Sequence, residues 1–169
     1  MNNNYSALDI ANYIVWYVNE DNLGVVTPLK LQKILYYVST TYLKKNEEIL
    51  FNDSFEKWQY GPVVTDVYHA FKLHGFKHIS QPTALIERDE HSVLGFKKIE
   101  FNPQRFLTND RFTNDANQVI DILIRKEAFD LVEMTHEEDA WRNFETEIRA
   151  GRKELKYSIN ELKSAKNVI

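Results

Sequence analysis

Thr27-Pro28-Leu29-Lys30-Leu31-Gln32-Lys33-Ile34-Leu35-Tyr36-Tyr37-Val38 opens with a capping threonine and a proline at the first helical position, where a missing N–H costs little. Leu31, Ile34, Leu35, Val38 and Tyr42 then recur at helical spacing and supply an apolar stripe. Lys30, Lys33, Tyr37, Thr41 and Lys44 fall along another face. A long amphipathic helix therefore starts at Pro28, and the rest of the chain is read outward from it.

Upstream, Ser6 with Asp9 forms a capping pattern, and Leu8, Ala11, Ile14, Val15 and Val18 continue at helical spacing to about residue 20. Downstream, Phe51, Phe55, Trp58 and Tyr60 alternate with polar residues, which suits short extended segments over 49–60. Gly61 and Pro62 punctuate the chain. Val63, Val67, Ala70, Phe71 and His74 predict a third helix of about thirteen residues ending at Gly75. Residues 76–112 are the least regular, with a β-like piece over 93–101 that implies a hairpin or long loop.

A fourth helix is expected over 113–126, with Ala116, Val119, Ile120 and Leu123 inward, followed by a short one over 128–134. Thr135 with Glu138 fits a capping box that opens a helix presenting Trp141, Phe144 and Ile148 before Gly151. Ser158 with Glu161 repeats that device. The expectation is a mainly α protein: a compact helical bundle forming one domain over 1–169, with a few short β segments at about 49–60 and 93–101.

Composition narrows the chemistry. Of 169 residues, 43% are apolar and 27% charged, the balance of a folded globular chain. There is no cysteine, which removes disulfides, thiolate nucleophiles and cysteine metal clusters, and a reducing cytoplasm is the easiest fit. No secretory signal pattern or membrane-spanning run is visible, so the expected location is cytoplasmic and away from the membrane. A net charge of −4 opposes general affinity for nucleic acid.

No phosphate-cradling, dinucleotide-binding or nucleophile-elbow motif is present, and the expectation is a protein without enzymatic activity, catalytic residues or cofactor. His136-Glu137-Glu138-Asp139-Ala140 begins like a zinc-protease helix, but Ala140 stands where the second histidine is needed. His74 and His78 are separated by a helix-breaking Gly75, so no metal site is expected.

Three sets of residues are candidates for binding a partner. Trp58, Tyr60, Gly61 and Pro62 form either an aromatic interface anchor or a structural junction. Lys30, Lys33, Tyr37 and Lys44 combine cations with an aromatic ring, which suits an acidic protein surface or a phosphate backbone, or else makes an ordinary solvated face. Residues 127–139 hold six acids and no lysine or arginine, beside Trp141; they would attract a basic partner, or stabilise a helix start through its dipole.

Three segments together resemble one family. Leu29-Lys30-Leu31-Gln32-Lys33-Ile34-Leu35-Tyr36-Tyr37 is similar to the LKLQKLLYY helix of Panacea domains, found in SocA-like antitoxins and phage-associated proteins. Trp58-Gln59-Tyr60-Gly61-Pro62-Val63-Val64 resembles their W-x-Y-G-P-V element. Leu131 to Trp141, with Thr135-His136-Glu137-Glu138, resembles their L-T-H-x-E-x-x-W segment, although Met134 and Asp139-Ala140 depart from it. The resemblance implies an antitoxin that neutralises a cognate toxin, encoded next door, by direct protein contact. One branch of the family is a proteolytic adaptor that delivers its toxin to an AAA+ protease. The alternative is a nucleic-acid-binding transcriptional regulator of a mobile element or prophage, using the second helix or the basic stretch from Arg142.

Overall fold

The computed structural model describes residues 4–169. The chain is mainly α. In order it forms α1 (Ala7–Glu20), α2 (Pro28–Asn46), β1 (Glu56–Trp58), β2 (Gly61–Val63), α3 (Thr65–Phe71), β3 (Leu85–Arg88), β4 (Phe96–Ile99) and α4 (Gln104–Leu107). It continues through α5 (Asp110–Leu123), α6 (Ala128–His136), α7 (Asp139–Arg142), α8 (Glu145–Arg149) and α9 (Ile159–Lys163).

The start signals act as their chemistry requires. Ser6 Oγ accepts from Asp9 N at 3.0 Å while Ser6 N donates to the Asp9 carboxylate at 2.8 Å, a complete capping box on α1. Thr27 Oγ1 accepts from Lys30 N at 3.3 Å, with Pro28 in the first turn of α2. Ser158 and Glu161 cap α9 in the same reciprocal way.

Helix α2 is the axis of the molecule. Helices α1, α3, α5, α6 and α9 and strand β2 all pack on it. Every residue from Lys30 to Leu43 is buried, so the helix has no solvated face. This corrects the expectation that Lys30, Lys33, Tyr37 and Thr41 would form a second, outward face. Amphipathic periodicity reports one packed stripe, and a helix surrounded by five others must bury its polar residues as well. Around it, Tyr13, Phe106 and Phe112 meet as an aromatic cluster, with Tyr13 and Phe112 edge to face at 4.9 Å between centroids.

Two segments depart from the sequence-based expectation. Gly61-Pro62-Val63 does not open a helix; it pairs as β2 against β1, with Trp58 opposite Gly61 across a two-residue turn. Helix α3 is consequently short, at seven residues plus a 3-10 turn over Lys72–His74. The expected capping box at Thr135 and Glu138 is also absent. Thr135 lies inside α6 with its hydroxyl donating to Val132 O at 2.7 Å, and the chain breaks at Glu138 into the short helices α7 and α8. The β-like piece at 93–101 is real as β4, which pairs antiparallel with β3.

Candidate protein-binding site

Most of the residues singled out from sequence converge where α2, the β1–β2 hairpin and α6–α7 meet, in two layers, while Lys30 and Lys44 reach the C-terminal end of α5 and the 165–167 segment instead. The inner layer is a buried polar junction. Lys33 is fully buried and donates its Nζ to Pro62 O at 3.0 Å. Burial with one neutral acceptor pushes this amine down to about 7. Gly61 sits directly above it at φ +96°, where a Cβ would stand 2.4 Å from Thr135 Oγ1 and 3.1 Å from Lys33 Cε. Glycine is required here for conformation and for space.

Beside it, Glu138 is buried and accepts from Tyr36 Oη at 2.8 Å, Tyr37 Oη at 3.0 Å and Lys166 N at 2.8 Å. Burial, reinforced by this carboxylate, raises both phenols far above their ordinary range, so they remain donors. Trp141 is likewise inside: its indole N–H donates to Trp58 O at 2.8 Å, and His136 stacks on its ring at 3.6 Å between centroids. His136 also meets Gln59 O at 2.9 Å, and burial lowers its pKa. Pro62 is buried. Lys30 is nearly enclosed, and its Nζ donates to Ile124 O at 2.6 Å.

Lys33, Tyr37 and Trp141 therefore tie α2, the hairpin and α6–α7 together, Lys30 ties α2 to the C-terminal end of α5, and the polar atoms of all four are committed internally. Lys44 is half-buried and donates to Ala165 O and Asn167 Oδ1, both at 2.7 Å. The lysines of α2 do not present a row of cations to a phosphate backbone.

Replacing Gly61 by alanine is expected to destabilise the protein by about 2–4 kcal/mol, combining positive-φ strain with overpacking. Urea denaturation checks it, and the double variant with Thr135→Ala should recover part of the loss. Equal stability of the single variant and the wild type would remove the proposed clash.

The outer layer is an apolar groove of about 570 Å³. Trp58 and Tyr60 line it from the hairpin, Tyr68 and Lys72 from α3 and its 3-10 extension, Phe76 from beyond Gly75, and Phe129 from α6. Trp58 and Tyr68 meet edge to face at 5.0 Å, and Tyr60 and Phe129 at 5.8 Å. Tyr60 is 48% exposed, Phe129 59% and Phe76 93%, an open aromatic surface that the fold leaves uncovered. Of the sequence candidates, Trp58 and Tyr60 reach this surface. Tyr68, Phe76 and Phe129 escaped sequence reasoning, and their one signal was being large and apolar off the helical stripes.

Among the described residues, no group of three or more His, Asp or Glu side chains is placed to hold a metal ion. His78 is a structural histidine: Val26 N donates to its Nδ1 at 3.0 Å, and its Nε2 lies 2.8 Å from Asn19 Oδ1. No helix among the described residues is long and apolar enough to cross a membrane.

The molecule is a mainly α scaffold with a buried polar junction under an exposed aromatic groove. The chain belongs to the antitoxin SocA-like, Panacea domain family, whose model matches residues 31–142, from the middle of the first turns of α2 to the end of α7. It is similar to antitoxin SocA of Caulobacter vibrioides (strain NA1000 / CB15N), with 39% identity over 54 residues. That match covers 32% of this chain and 29% of the relative. No solved structure matches the chain.

Proposed function

We propose that this protein is an antitoxin that neutralises a cognate toxin by direct, non-catalytic protein contact, with Trp58 and Tyr60 among the contact residues. The observation that carries this reading is the uncovered aromatic groove built on the β1–β2 hairpin, which lies within the region that the family model matches. Aromatic side chains with a rigid support and an exposed face are the usual anchors of a protein interface. The hairpin is such a support, because Gly61, Pro62 and Trp58 O are pinned from below by Lys33 and Trp141. The toxin is the product of a neighbouring gene, and the complex forms in the cytoplasm without nucleotide or metal.

Co-expression with the adjacent gene product in a growth-reporting host tests the proposal. Rescue of growth with a co-purifying complex supports it. Tyr60→Asp and Tyr68→Asp should each weaken rescue while the thermal melt stays within a few degrees of wild type, since both rings are solvent-facing. A toxic neighbour that is neither rescued nor bound overturns it. Masking and delivery to an AAA+ protease share the binding step and separate by toxin half-life, which shortens on co-expression only in the second case.

A further inference from the structure

We infer that the aromatic groove receives an amphipathic α-helix of the partner, with its apolar stripe on Tyr60, Tyr68 and Phe129 and carboxylates on the flank that faces α3. This rests on the reading of the protein as an antitoxin only for the identity of the partner; the conformation and charge of the occupant follow from the groove.

The hairpin that forms one wall has no free edge to pair with an extended peptide. On the outer side of β1, Lys57 N donates to Leu155 O at 2.7 Å and Tyr157 N donates to Phe55 O at 2.9 Å. On the side of β2, Pro62 O accepts from Lys33, and Val64 exchanges bonds with the Gln32 amide at 3.0 and 3.2 Å. The remaining walls are helix side chains and the turn at Gly75 and Phe76, where Gly75 N and Lys77 N donate to Lys72 O and His74 O. An extended segment laid here would bury its own N–H and C=O groups without partners, whereas a helix arrives with those groups already satisfied.

Charge fixes which helix. After Asp66 in the first turn of α3, the chain from Val67 to Ile86 carries Lys72 and Lys77 and no carboxylate. Lys72 lines the groove and meets the His69 ring at 3.3 Å, and among the described residues neither Lys72 nor Lys77 has an acidic partner. Asp130 and Glu133, both exposed, follow Phe129 on α6 and disfavour carboxylates on that second side. A helix with acids on one flank matches the α3 side and avoids the α6 side.

The test uses the full chain and three synthetic peptides of about four helical turns, each with leucines at i, i+3, i+4 and i+7. The first has glutamates on one flank and glutamines elsewhere, the second has lysines in place of the glutamates, and the third is the first with a central proline. Calorimetry reads affinity, and amide chemical shifts read location. The glutamate helix is expected to bind at least tenfold more tightly than the lysine helix, with shifts centred on Tyr60, Tyr68 and Phe129. Lys72→Glu should reverse the preference, and raised salt should reduce it.

Equal binding of the two charged helices, equal binding of the proline peptide, shifts elsewhere, no binding, or closure of the groove by a second copy of the chain in sedimentation would each overturn the inference. If the toxin is still neutralised in the cell under any of those results, the antitoxin reading stands and the helix inference alone falls. A bound glutamate helix with no rescue of a toxic neighbour gives the converse.

Discussion

Glu138→Ala should cost about 3–5 kcal/mol of stability, the range for removing one member of a buried charged hydrogen-bond network. The carboxylate holds three donors: the hydroxyls of Tyr36 and Tyr37 and the main-chain N–H of Lys166. Alanine leaves two phenols facing each other in a dry site, with ring centroids 5.0 Å apart and no acceptor between them. It also removes one tie on the 164–168 segment, which Lys44 through Ala165 O and Asn167, and the ion pair of Lys166 with Glu137, continue to hold. For a chain of this size the loss corresponds to a fall in melting temperature of roughly 10 °C. Glu138→Gln keeps an acceptor oxygen and should lose less than half as much. Thermal and urea denaturation of the two variants beside Tyr36→Phe measures the effect, and a loss below about 1 kcal/mol for the alanine variant would show that the network is not cooperative.

The second large effect is a dependence of stability on pH set by Lys33. Burial removes water from its amine and supplies only Pro62 O, which pushes it from the ordinary 10.5 down to about 7 in the folded protein. Between those values the unfolded chain carries a proton that the folded chain does not. Unfolding therefore takes up a proton, and stability rises with pH across that window by up to about 1.4 kcal/mol per pH unit. Below pH 7 the charged amine is buried at full cost. The window closes from above because burial raises the tyrosines, Tyr17 to about 12, so that folded-state phenols resist an ionisation that the unfolded chain allows near pH 10.

Lys33→Met keeps the length of the side chain and removes the charge. It is expected to stabilise the protein at pH 6 by several kcal/mol, about 5 before subtracting the lost hydrogen bond. The gain should shrink steadily towards pH 9. Denaturation at pH 6, 7.5 and 9 decides the matter: a difference between variant and wild type that does not change with pH would mean that Lys33 is charged in the fold, with a partner that offsets its burial.

The retention of so costly a lysine under Gly61 gives the hairpin its rigidity. Lys33 Nζ and Trp141 Nε1 hold two of its carbonyls, so the turn at Gln59 and Tyr60 is presented from a fixed base. An aromatic surface on such a base loses less conformational freedom on binding than one on a mobile loop.

Local chemistry wrote the helix starts, the stripe of α2, an extended aromatic stretch within 49–60 and the family motifs into the sequence, because caps, prolines and periodic apolar residues act within a few positions of themselves. Ser6, Thr27 and Ser158 cap their helices as expected. Three things needed the tertiary structure. Lys30, Lys33 and Tyr37 look like an outward face in one dimension and become interior once five helices surround α2. Thr135 and Glu138 spell a capping box, yet the carboxylate gains more from two buried phenols and a main-chain N–H 28 residues away than from its own helix start. The groove joins the hairpin, α3 and α6, which lie up to about 70 residues apart, and only packing decides which aromatic residues are left uncovered between them.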